Sequence, residues 1–82
     1  MDRETAIRNF MLMLMYLTSW RELADDKRRF WKGYDFDVLD RLAEDDLIAI
    51  SHSAKSAYLT EEGERTAVAL LRDHGVPISQ VS

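Results

Sequence analysis

The chain contains no cysteine, only one proline and only three glycines among its 82 residues. Without cysteine it can form neither a disulfide framework nor a thiolate metal site, and a cysteine nucleophile is excluded. So little proline and glycine argues against a linker or a disordered tract. We therefore expect a single folded domain over residues 1–82, in a reducing cytoplasm, with a core just large enough for folding alone.

The sequence also lacks a segment that could cross a membrane or begin a secretory signal. Its longest apolar run, residues 10–17, is too short to span a bilayer. The acidic residues Asp2 and Glu4 precede this run, where a signal peptide would be basic. We therefore expect a soluble, unprocessed protein without a membrane partner.

Sets of catalytic or metal-binding residues are missing as well. His52 and His74 lie far apart in the sequence, and no carboxylate stands beside a recognisable nucleophile. We predict that the protein is not an enzyme and has no catalytic residue, metal or cofactor. Four aromatic residues could line a small-molecule pocket, although such residues more often pack in a core or a dimer: Tyr16, Trp20, Trp31 and Tyr34.

The net charge of -4 is unevenly distributed along the chain. Residues 35–46 contain six carboxylates and a single cation, Arg41. A basic cluster without an acid lies just before them and consists of Lys27, Arg28, Arg29 and Lys32. This separation predicts two surfaces of opposite charge that are close in sequence.

The first segment predicts a helix over about residues 2–24, with Asp2 as its N-cap. Its apolar residues form two stripes on different sides of the helix. One core cannot bury both stripes, so we expect a homodimer that uses the second one. The first stripe is Ile7, Phe10, Met11, Leu14 and Leu17, and the second, the predicted dimer interface, is Leu12, Met13, Tyr16 and Trp20.

The rest of the chain predicts a basic loop, a helix, a β-hairpin, another helix and a short tail. Asp35 and Thr60 are suitable N-caps for the two helices, and Gly75 and Pro77 end the last one. The fold class is therefore mainly α with a small β-hairpin (α+β). The predicted bounds are about 25–34 for the loop, 35–46 for the helix, 47–59 for the hairpin, 60–74 for the last helix and 75–82 for the tail.

Residues 39–63, "LDRLAEDDLIAI" followed after a turn by "KSAYLTEEG", resemble the recognition helix, wing and next helix of winged-helix regulators. Those proteins share the pattern L-x-x-L-x-x-x-G-L-I, a hairpin, and L-T-x-x-G. The segments W-K-G-Y-D-F-D at 31–37, L-D-R-L at 39–42, A-K-S at 54–56 and L-T-E-E-G at 59–63 are similar to a family of short bacterial proteins known as a domain of unknown function. This second resemblance covers residues 14–71 and implies a winged-helix-like fold without implying a function.

Two features depart from the winged-helix pattern. Asp46 occupies the position of the usual glycine, and an aspartate can adopt the left-handed backbone at modest cost. The middle helix of a helix-turn-helix is missing, because only the charged, aromatic segment lies between the first helix and Asp35. We therefore predict a degenerate helix-turn-helix.

The polar residues of the second helix are unlike those of a DNA reader. Phosphates repel carboxylates, and base edges are read by arginine, lysine, asparagine or glutamine. Arg41 can pair with either Asp37 or Asp45, four residues away on each side. The predicted acidic face is a solvated surface or a docking site for a basic protein, and it consists of Asp37, Asp40, Glu44 and Asp45.

Our principal functional hypothesis is a non-catalytic, winged-helix-like interaction domain that dimerises through its first helix. The alternative is a DNA-binding transcriptional regulator that keeps the acidic helix away from DNA. Its nucleic-acid contacts would come from the basic loop and the wing, with Phe30 and Trp31 able to stack on exposed bases. The predicted contacts are Lys27, Arg28, Arg29, Lys32 and Lys55.

Overall fold

The computed structural model describes residues 2–20, 28–31, 33–50 and 56–77, and these residues form three helices and a three-stranded sheet. The arrangement is the predicted α+β, winged-helix-like fold. In chain order the elements are α1 (Arg3–Thr18), β1 (Arg29–Trp31), α2 (Phe36–Glu44), β2 (Ile48–Ile50), β3 (Ser56–Leu59) and α3 (Glu61–Asp73).

Each helix begins at a side chain that accepts a hydrogen bond from the first turn, as predicted. Asp2 accepts from the Thr5 amide at 2.7 Å, Asp35 from the Asp37 amide at 2.8 Å, and Thr60 from the Gly63 amide at 3.0 Å. The hydrogen bond from the Thr5 backbone amide lowers the pKa of the Asp2 carboxyl group. The caps therefore fix where the three helices start.

The first helix is shorter than predicted. α1 ends at Thr18, because Ser19 adopts an extended backbone and Trp20 leaves the helix to pair with Arg29. Two backbone hydrogen bonds of 2.8 and 3.0 Å join Trp20 and Arg29. The remaining predicted part, residues 21–24, lies outside the described residues.

The sheet is antiparallel with the order β1-β3-β2, so the chain adds β1 to the predicted hairpin. Arg29–Trp31 was predicted as part of a loop, and this prediction is wrong. Phe30 points into the core and is 1% exposed, while the residues on either side of it face outward. Three residues are too short for this alternation to be visible among charged neighbours.

The core lies between the inner face of the sheet and the three helices. α1 contributes Leu12 and Met15, which are both fully buried, and α2 contributes Leu39 and Leu42. The other buried apolar residues are Met13, Tyr16, Phe30, Leu47, Ile48, Ala57, Leu59, Ala67 and Leu71.

The end of α2, the following turn and the start of α3 are joined at one junction. Asp46 has a φ of 59°, the left-handed conformation expected there. The Thr60 hydroxyl donates to the Asp46 carbonyl at 2.6 Å, and the Thr60 amide donates to the Leu47 carbonyl at 3.1 Å. Gly63 packs so closely on Leu47 that a Cβ would overlap its carbonyl oxygen and lie 2.9 Å from its carbonyl carbon. This contact explains the spacing of Thr60 and Gly63 in the L-T-E-E-G motif.

Replacing Gly63 with alanine should destabilise the protein. The added methyl group meets backbone atoms, which cannot turn aside as a side chain can. We expect Gly63→Ala to lower the free energy of unfolding by about 1 to 3 kcal/mol, measured by urea denaturation. Gly33→Ala is the matched control, because a Cβ at Gly33 has no atom within 4 Å. Equal stability of the two variants would contradict the role of this contact.

Candidate interaction surfaces

The outer face of α1 carries four large apolar side chains that face solvent. The exposed fractions are 42% for Ile7, 53% for Phe10, 45% for Leu14 and 39% for Leu17. Their spacing of three, four and three residues is that of the a and d positions of a coiled-coil heptad. These four residues, called here the outer stripe, have the pattern by which one helix packs along another.

The stripe predicted to meet a second copy is instead the inner face of α1. Leu12, Met13 and Tyr16 are at most 7% exposed and form part of the core. Trp20 is half-buried beyond the end of the helix, with its ring centroid 5.3 Å from that of Trp31. The sequence revealed two apolar faces but not which one the rest of the chain covers, because both have helical spacing. The described structure leaves the outer stripe, and not Leu12, Met13 or Tyr16, open to a partner.

A groove of about 480 Å³ runs between α1 and the first half of α2. Ile7 belongs both to the groove and to the outer stripe, so the two features form one continuous surface. The floor is apolar and the rim is charged. The lining residues are Glu4, Ile7, Arg8, Met11, Asp35, Asp37, Val38 and Arg41.

Two ion pairs join α1 to α2 beside this groove. Arg8 Nη1 lies 2.7 Å from Asp45 Oδ2, and Arg41 Nη1 lies 3.1 Å from Glu4 Oε2. The expected pairing of Arg41 within its own helix is therefore replaced by a contact with α1. Because these groups are partly exposed, each pair should contribute less than about 1 kcal/mol. Arg8 also places a positive charge beside the negative end of the α2 dipole.

The acidic face of α2 lies on the outside of the molecule. Asp37, Asp40, Glu44 and Asp45 are all exposed, and Asp45 has its ion pair with Arg8. Phosphates would repel these carboxylates. The polar residues of α2 therefore differ from those by which a recognition helix reads DNA.

Arg28, one of the predicted nucleic-acid contacts, is buried and is only 3% exposed. Its guanidinium carbon lies 4.6 Å from the centre of the Tyr16 ring, and Nη1 donates to the Ser19 hydroxyl at 3.1 Å. Its Nε lies 3.7 Å from Glu64 Oε1. In this position Arg28 joins α1, the sheet and α3 and is not available to an outside partner. In the sequence Arg28 is one member of a basic cluster, and nothing in that cluster distinguishes it as a buried residue.

The other predicted nucleic-acid contacts are only partly described. Arg29 is half-buried on the outer face of β1. Lys27, Lys32 and Lys55 lie outside the described residues, as does His52. The nucleic-acid contacts expected from these three lysines therefore stay a prediction.

Tyr34, Tyr16 and His74 do not come together in one site of the described structure. Tyr34 packs edge-on against Phe30 with centroids 6.1 Å apart, away from Tyr16, which lies under Arg28. The His74 ring meets Phe10 at 5.6 Å, and its Nδ1 lies 2.8 Å from the Leu70 carbonyl oxygen. Within residues 2–20, 28–31, 33–50 and 56–77 no three metal-ligating side chains cluster. None of the helices there has the length and apolar content needed to cross a bilayer.

The fold and these surfaces define a small winged-helix-like domain whose second helix is acidic on its exposed side. A family model described as a domain of unknown function, DUF6429, matches residues 3–76. The chain belongs to this family, which confirms the resemblance that its W-K-G and L-T-E-E-G motifs indicated. No curated protein and no solved structure matches the chain.

Removing the buried guanidinium should destabilise the fold more than removing an exposed one. Arg28→Ala leaves a void beside Tyr16 and takes away one of the groups that interact with Glu64. We expect its free energy of unfolding to fall by about 1 to 3 kcal/mol in urea denaturation. Arg65→Ala is the control, because Arg65 forms an exposed ion pair with Glu62 at 2.7 Å. Removing this pair should change the free energy of unfolding by less than about 1 kcal/mol. A stable Arg28→Ala variant would show that the burial of Arg28 is incidental.

Proposed function

We propose that the protein is a non-catalytic interaction domain that forms a homodimer through the outer stripe of α1. The observation that carries this proposal is the exposure of Ile7, Phe10, Leu14 and Leu17 at heptad spacing. Single exposed apolar residues are ordinary on a protein surface, but a continuous row is typical of an interface. A chain of 82 residues also gains from burial that a second copy supplies.

A second copy is the partner that best matches the chemistry of the stripe. The four side chains have no charge, so the same surface can face itself across a two-fold axis without repulsion. A basic protein would instead be drawn to exposed carboxylates such as Asp40 and Glu44 on α2, and the stripe offers it no carboxylate. The stripe therefore favours self-association over the acidic docking role.

The interface should extend beyond the stripe into the groove. A stable interface covers about 800 Å² on each partner, which is more than one helical ridge provides. Met11 and Val38 on the groove floor continue the apolar surface from Ile7. We therefore expect the second copy to cover both the outer stripe and this floor, with the charged groups of the groove at the rim.

The DNA-regulator alternative has less support. Arg28 is buried, and the exposed face of α2 is acidic. What is left of that hypothesis rests on Arg29 and on the lysines at 27, 32 and 55.

The dimer can be tested with one acidic substitution on the outer stripe. Leu14→Glu places a carboxylate at the centre of the proposed interface without touching the core. We expect the unchanged protein to sediment as a dimer at tens of micromolar, and Leu14→Glu to sediment as a monomer. Phe36→Glu is the control, since Phe36 is 79% exposed on α2 and lies outside the stripe and the groove lining. A monomer for the unchanged chain, or equal effects of the two variants, would refute the proposal.

A further inference from the structure

The outer face of the sheet carries a row of side chains that spans four neighbouring segments. Trp20 is paired with Arg29, Arg29 is opposite Tyr58 on β3, and Tyr58 is opposite Ala49 on β2. Residues that are directly opposite in antiparallel strands point to the same face. Trp31, two residues after Arg29, lies on this face as well and is opposite Ser56. Two tryptophans, one tyrosine and one arginine are thus gathered on one small surface, called here the sheet face.

Among the described residues the sheet face is partly exposed, whereas the opposite face is the core. Trp31 is 63% exposed, and Trp20, Arg29 and Tyr58 are half-buried. On the inner face, by contrast, Phe30 is 1% exposed. Trp20 supports Trp31 from the side, with ring centroids 5.3 Å apart and an angle of 41° between the rings. The most exposed aromatic ring of the sheet is therefore held by a second ring and is not a freely rotating side chain.

The charge of the sheet face differs from that of the rest of the chain. None of the residues in β1, β2 and β3 is acidic, although the whole sequence has 15 carboxylates. Arg29 gives this face a positive charge in a protein whose net charge is -4. A ligand that combines flat rings with negative charge fits such a surface.

The geometry points to single-stranded nucleic acid as the ligand of the sheet face, with a base stacked on Trp31 and a phosphate beside Arg29. Base stacking on aromatic side chains of an open sheet, with a cation for the backbone, is the chemistry of proteins that bind unpaired strands. This function is separate from dimerisation, because the outer stripe and the sheet face share no residue.

Single strands fit this face better than a duplex does. In a duplex the flat faces of the bases are covered by their neighbours, so an aromatic side chain on a sheet has nothing to stack on. The element that would enter a major groove is α2, whose outer residues are acidic. A proline-rich peptide could also pack on Trp31, but it would offer no negative charge to Arg29.

The two tryptophans give a direct readout, because Trp20 and Trp31 are the only ones in the sequence and both lie on this face. We expect an oligothymidylate or oligouridylate of about 12 nucleotides to quench the tryptophan fluorescence at about 50 mM salt. The same strand with a fluorescent label should show rising anisotropy as the protein is added. A duplex of mixed sequence should bind more weakly than the single strand.

Three substitutions test which side chains carry the binding. Trp31→Ala should weaken binding of the labelled strand by roughly 5- to 100-fold, because it removes one stacking surface. Trp31→Phe retains an aromatic ring and should recover much of the affinity. Arg29→Gln should weaken binding at low salt and reduce the slope of log affinity against log salt by about 0.7, the loss of one phosphate contact. Phe36→Ala is the matched control, an exposed aromatic ring on α2 that should leave binding unchanged.

Several results would overturn the inference. One is the absence of both quenching and anisotropy change with the single strand at about 100 µM protein and about 50 mM salt. Another is equal loss of binding in Trp31→Ala and Phe36→Ala. Quenching by an oligoproline peptide but not by the oligonucleotides would assign the face to proline-rich partners. Because Leu14→Glu leaves the sheet face intact, it should still bind the single strand, which separates this test from that of the dimer.

Discussion

The close contact between Gly63 and the carbonyl group of Leu47 fixes how the second half of the chain is arranged. Because residue 63 has no side chain, the first turn of α3 can rest directly on the backbone that leaves α2. Thr60 completes the contact, since its hydroxyl caps α3 and also donates to the Asp46 carbonyl. The left-handed backbone of Asp46 then turns the chain into β2. A few short-range contacts thus orient α2, the hairpin and α3 together.

The orientation of α2 determines what α1 can expose. With α2 held by the junction, Leu39 and Leu42 pack into the core, and Arg41 and Asp45 reach toward α1. α1 is covered on one side, and its outer stripe is left on the other. The same packing of α2 against α1 leaves the groove beside Ile7, and charged residues of both helices line the rim of this groove. The surface proposed for dimerisation therefore results from the way the helices pack.

Much of this fold is predictable from the sequence because its signals are local. The caps at Asp2, Asp35 and Thr60 and the motif that ends at Gly63 each act within a few residues. β1 could not be predicted in this way, since its pairing with β3 depends on residues far away in the chain and its three residues show no clear alternation. The choice between the two stripes of α1 and the burial of Arg28 are also tertiary effects. Arg28 resembles its basic neighbours in the sequence, and its burial depends on Tyr16 and Glu64, which are distant in the chain.

The pairing of Trp20 with Arg29 also bears on how the protein avoids misassembly. β1 lies at an edge of the sheet, and edge strands with free backbone groups tend to recruit strands from other molecules and aggregate. The outward amide and carbonyl groups of Arg29 are already bonded to Trp20, at 2.8 and 3.0 Å. The chain thus closes part of this edge with Trp20, the second residue after its own first helix. A strand from another molecule cannot form backbone hydrogen bonds with Arg29 unless Trp20 is displaced. Association between molecules at this edge would therefore depend on side-chain contacts.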